Sequence, residues 1–86
     1  MRRQLLRSAT SVAANYRAAC RARSRKEFVS KISIVLEEAD ETEFWIELLI
    51  DARLADAERT QDLLDEAGQL VAIFVATRRT ASRPKE

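Results

Sequence analysis

The sequence predicts an all-α fold, an up-and-down antiparallel helical bundle, and three observations carry that expectation. The chain has one glycine and one proline in 86 residues, with Ala, Leu, Glu and Arg abundant, a composition that favours helix and leaves little material for turns. Apolar residues recur at steps of three and four over three long segments, the signature of amphipathic helices. Strand signals are missing: there is no Gly/Asn-rich hairpin turn and no sustained alternation of apolar and polar residues. The expectation is one domain over residues 1–80, near the size at which a single core barely suffices, followed by a disordered tail over 81–86.

A first helix is predicted over residues 3–21. Leu5, Ala9, Val12, Tyr16 and Ala19 form its apolar stripe, the face expected to meet a neighbour. Gln4, Ser8, Ser11 and Asn15 repeat at the same spacing as a second, small and polar stripe. Asn15 reads as a register-fixing residue on a helix seam. The like-charged pairs Arg3/Arg7 and Arg17/Arg21 lie one turn apart and call for acidic neighbours from elsewhere.

Ser24-Arg25-Lys26-Glu27 reads as a capping box, with the Ser24 hydroxyl taking the Glu27 amide and Glu27 reaching back to the Ser24 amide. It opens a second helix over residues 25–53, about 40 Å long at about 1.5 Å per residue. Phe28, Ile32, Val35, Ala39, Thr42, Ile46 and Leu49 make its seam. Val29, Leu36, Phe44, Trp45 and Leu48 lie off that seam, more apolar surface than one neighbour covers. Tyr16, Phe28, Ile32, Phe44, Trp45 and Leu48 are therefore the candidate core or oligomer-interface residues.

The third helix is predicted over residues 57–79 with Asp56 as N-cap. Its seam is Leu63, Ala67, Leu70 and Phe74, with Leu64, Val71 and Val75 beside it. Three such helices in a row leave Leu5, Val12, Ile32 and Leu70 short of neighbours, so an apolar groove able to accept a further amphipathic helix is expected.

Charge is strongly segregated. Met1–Lys26 holds eight Lys/Arg and no acid, whereas Glu27–Glu66 holds thirteen acids against three bases, and the total is only +1. Arg3, Arg7, Arg17, Arg21, Arg23, Arg25 and Lys26 are the candidate nucleic-acid-binding residues. The competing reading pairs them with the acids of the second helix. Tyr16 is the lone aromatic among them, and Phe44 and Trp45 stand in an acidic segment that repels phosphate, so packing is the better account of that pair.

No catalytic constellation is present. The chain has no histidine, which removes Ser/His, Cys/His and His-metal arrangements. Gly68, the single glycine, stands in the middle of a helical segment, so no glycine-rich loop cradles a phosphate. The acids Glu37, Glu38, Asp40, Glu41, Glu43 and Glu47 read as a solvated or salt-bridged face, not a metal site. The expectation is a chain that is not an enzyme and has no cofactor, no metal and no small-molecule substrate. The single Cys20 rules out an internal disulfide and fits a reducing cytoplasm; it reads as a small buried hydrophobe, with a reactive thiol among arginines as the alternative. No apolar run approaches the length of about 18 residues that a membrane span requires, so no membrane partner is expected.

The block QLLRSATSVAANYRAACRARSRKEF followed by EEADETEFWIELL resembles the bacterial four-helix-bundle family of proteins encoded inside 23S ribosomal RNA intervening sequences. The likeness covers about residues 4–75 and is densest at Gln4–Arg7, Ala14–Ala18, Ser24–Phe28 and Glu38–Leu49. It implies a small up-and-down bundle assembling as a homopentamer, with no catalytic residues to carry over. A related group, the accessory proteins of diversity-generating retroelements, implies the alternative of a nucleic-acid-binding accessory protein using the basic first helix. Family members usually carry one more helix, so the three helices here correspond to the last three of a four-helix bundle. Alanines stand at Ala9 and Ala13 where family glycines are common, and Arg53 or Leu54 stands where a glycine often follows the second helix. That turn is expected to close without a left-handed glycine.

Overall fold

A computed structural model describes residues 2–53 and 56–83. Among them there are three helices and no strand: α1 (Arg2–Cys20), α2 (Arg25–Asp51) and α3 (Ala57–Ser82). The helix starts follow the sequence chemistry. Ser24 is extended and its hydroxyl accepts from the Glu27 amide at 3.0 Å. Glu27 reaches back, but to the Arg23 amide at 3.4 Å instead of that of Ser24. Asp56 caps α3 by accepting from the Arg59 amide at 3.1 Å. Leu54 and Ala55, expected to form the second break, lie outside the described residues.

Helix ends differ from expectation in two places. α2 stops at Asp51, and Arg53 takes a left-handed conformation with φ of 56°. As expected, no left-handed glycine ends this helix; Arg53 takes that conformation instead, which glycine adopts at lower cost. α3 continues to Ser82, so residues 81 and 82 are helical and not tail. Ala81 lines a hollow with Phe28, and its carbonyl accepts from Arg25 Nε, which ties the end of α3 to the start of α2. The remaining tail residues 84–86 lie outside the described residues.

The helices run antiparallel in chain order, with α2 between α1 and α3 and packed against both. The backbones of α1 and α3 are not adjacent; the two meet through side chains, as in the Tyr16–Phe74 ring pair 5.8 Å apart. The Cα atoms span 50 × 22 × 13 Å; the shortest extent exceeds the roughly 5 Å Cα cylinder of one helix, so the three helices do not lie in one flat layer. The three helices leave a channel between α1 and α3, and the long axis of the molecule follows the helices.

Burial follows that geometry. The α2 seam holds the core: Ile32 and Val35 are fully buried, with Ala39, Ile46 and Leu49 nearly so. Phe74 from α3 joins Val35 and Ala39, and Val12, Leu36 and Val71 pack around them. The outer helices are turned relative to the predicted stripes. On α1 the polar stripe faces α2: Ser8 is fully buried, accepts from the Thr42 hydroxyl at 3.0 Å and donates to the Leu5 carbonyl. Asn15 bonds within its own helix, to the Ser11 carbonyl, whereas Ser8 makes a hydroxyl–hydroxyl link from α1 to α2. Small side chains at this seam let α1 lie close to α2. Tyr16 on α1, and Leu63 and Leu70 on α3, which the apolar stripes placed inside, are about half exposed.

Candidate functional site

Two surfaces stand out, an open apolar face and a basic pole. The apolar face is the channel between α1 and α3, floored by α2. Ala9, Val12, Ala39, Ala67, Leu70 and Phe74 line one hollow of about 140 Å³. A second, of about 410 Å³, continues from Val12 and Phe74 towards Tyr16, Cys20, Phe28 and Ile73. Ile73 is 57% exposed and Leu70 48%. Burial of such side chains is worth about 1.5–3 kcal/mol each, so a fold that leaves them in water has stabilisation still to gain. Of the residues expected to be short of neighbours, Val12 and Leu70 line the channel, Leu5 is half-buried, and Ile32 is covered.

The candidate interface residues are thus divided. Tyr16 and Phe28 line the channel, Ile32 is core, Leu48 is half-buried, and Phe44 is 52% exposed with its ring 5.1 Å from that of Trp45 in an edge-on contact. Trp45 donates its indole N–H to Glu41 at 3.2 Å. Cys20, expected to be buried, is exposed at the channel's end. Its thiol beside the Tyr16 hydroxyl pushes the phenol's pKa up.

The basic residues are divided as well. Arg7 alone among the described residues forms ion pairs with the second helix, to Glu41 and, at 3.6 Å, to Glu38. The Arg7 guanidinium, and then the Trp45 indole, hold the Glu41 carboxyl below its ordinary range. Arg3 is exposed near the opposite end from the other candidates. Arg17, Arg21, Arg23, Arg25 and Lys26 gather where α1 ends and α2 begins. Antiparallel packing brings the end of α3 to the same place, adding Arg78, Arg79 and Arg83. Residues 17–35 and 74–83 together hold nine Lys/Arg against the single carboxylate Glu27. The α3 arginines were not singled out from the sequence, because only the alternating helix directions bring them to this pole. The charge of the last residues was the available signal.

Among the described residues, no three acidic or cysteine side chains converge in a way that could hold a metal ion, and no helix is long and apolar enough to cross a membrane.

No curated protein matches this chain. Among solved structures it is similar to a protein of unknown function from the S23 ribosomal protein family of Bacteroides thetaiotaomicron, at 37% identity and a TM-score of 0.84. That match covers 88% of this chain and 70% of the other. Residues 1–76 match the family model described as 23S rRNA-intervening sequence protein, and the chain belongs to that family.

Proposed function

We propose that this chain is a non-catalytic helical module that works by self-association, its open face covered by further copies of itself. The supporting observation is the channel between α1 and α3, along which Tyr16, Leu70 and Ile73 are about half exposed. A four-helix bundle surrounds its core from four sides, and the three helices here leave the channel side uncovered. A face within a 50 × 22 Å outline has room for the roughly 800 Å² per partner of a standard interface.

The test is solution mass by light scattering at tens of micromolar. Wild type is expected at two or more times its 9.8 kDa. Ile73→Glu adds a charge to a side chain already in water within one chain, so it should lower the mass and keep the helical signal. A folded wild-type monomer would overturn the proposal.

A second reading, a nucleic-acid-binding accessory protein, is favoured by the basic pole, where the described Arg17, Arg21 and Arg23 have no carboxylate within ion-pair distance. It calls for binding of a short structured RNA that weakens steeply with salt, as counterion release demands. Binding that survives Arg17→Ala/Arg21→Ala/Arg23→Ala unchanged would contradict it.

A further inference from the structure

A hollow of about 460 Å³ opens at the basic pole, where the end of α3 meets the start of α2. Arg25, Lys26 and Arg83 stand around it, Val29 and Ala81 supply apolar wall, and Ser82 adds a hydroxyl. None of the three cations has an ion pair among the described residues. Glu27, the one carboxylate of the pole, is two residues past Arg25, about 160° away around the helix at about 100° per residue. It turns back to the Arg23 amide instead. Arg25 is held in place, because its Nε–H donates to the Ala81 carbonyl. Both of its terminal nitrogens are left for a ligand, and a guanidinium anchored this way loses less rotamer freedom on meeting an anion. Two α3 carbonyls that would repel an anion here are already bonded: Ala81 accepts from Arg25, and Thr80 accepts from the Arg83 amide at 3.3 Å.

We infer that this hollow grips a phosphate of a nucleic-acid backbone. The inference rests on the second reading above and moves the grip from the α1 arginines to a site shared by α2 and α3. A phosphodiester offers two unesterified oxygens that share one charge, which suits the Arg25 fork with Lys26, Arg83 and the Ser82 hydroxyl around it. Arg17, Arg21, Arg23, Lys31, Arg78 and Arg79 carry the positive surface beyond the hollow, so the partner is an extended polyanion. Charge density decides which kind. The molecule is 22 Å wide. Over that width a duplex carries about thirteen phosphates, at about 1.7 Å of axis per charge. An extended acidic peptide turns only every second side chain to one face, which gives about three carboxylates at about 6.6 Å spacing. Nine cations suit the first. The hollow has no aromatic, Asn or Gln in its lining, so the contact is to backbone and indifferent to base sequence.

The test is the fluorescence anisotropy of a labelled RNA duplex of arbitrary sequence, titrated with the full chain from about 50 to about 200 mM salt. Lys26→Ala/Arg83→Ala should weaken binding by at least about tenfold and lower the log–log salt slope by about two, one for each lost phosphate contact. Both side chains are exposed, so the helical signal should match wild type. Arg59→Ala, at the opposite end of the molecule, should leave affinity unchanged, and a duplex of unrelated sequence should bind wild type equally well. Full affinity in the double variant, with affinity lost in Arg17→Ala/Arg21→Ala/Arg23→Ala, overturns the hollow as the site while the nucleic-acid reading stands. A wild type that binds no RNA overturns both. Polyglutamate that displaces the labelled RNA as well as unlabelled duplex does, at equal charge, overturns the phosphate assignment in favour of an acidic protein partner.

Discussion

Glu41 is a single side chain that links two elements. It accepts from Arg7 across the α1–α2 seam and from the Trp45 indole one turn along its own helix. Both contacts favour the ionised form, and the carboxyl titrates below its ordinary value of 4.5. A group depressed in the folded chain adds stability above its unfolded pKa and loses it as pH falls through the folded value. Stability from this pair is therefore present at neutral pH and disappears in the acid range. Glu41→Gln should narrow the gap in urea midpoint between neutral pH and pH below about 4, with the neutral-pH midpoint moving down. An unchanged acid dependence would mean that other carboxylates set it. The sequence reading asked for acidic partners for the first-helix arginines, and Arg7 finds them. It did not single out Glu41, because a helix with Glu37, Glu38, Asp40, Glu41 and Glu43 in succession offers several acids and only the rotation of α1 chooses among them.

At the level of elements, the middle helix was readable and its neighbours were not fully so. α2 is packed on both sides, so its apolar seam from Ile32 to Leu49 coincides with its buried residues. α1 and α3 have one neighbour each, and their apolar stripes divide between that neighbour and the open channel. Hydropathy favours Tyr16 and Leu70 for burial and passes over Ser8; close helix packing selects for small size, and Ser8 and Ala19 are the α1 residues enclosed. The α2–α3 turn carries a cost that sequence alone does not price. Arg53 holds φ of 56°, a conformation that disfavours side chains bearing a Cβ by about 1–3 kcal/mol. Arg53→Gly relieves it, less the entropy glycine adds to the unfolded chain. The net expectation is a gain of up to about 1 kcal/mol, seen as a rise of about 4–8 °C in thermal midpoint per kcal/mol in a domain this size. A fall in the midpoint would show that the Arg53 side chain contributes more than its backbone strain costs.

At the scale of the whole molecule, alternating helix directions turn a charge gradient along the sequence into poles in space. The ends of α1 and α3 meet the start of α2, so arginines distant in sequence share one end of the molecule. The same arrangement leaves the channel between α1 and α3 open, which the excess of apolar residues foreshadowed but could not locate. A chain of 86 residues with an open channel has little stability to spare, and covering the channel with another copy would link folding to association. Linked equilibria of that kind make the thermal midpoint depend on protein concentration. The direct measurement is helical signal against temperature across a hundredfold dilution of the wild-type chain. A midpoint that rises with concentration is the predicted result, whereas a cooperative transition at one unvarying temperature would show that a single copy closes its own core.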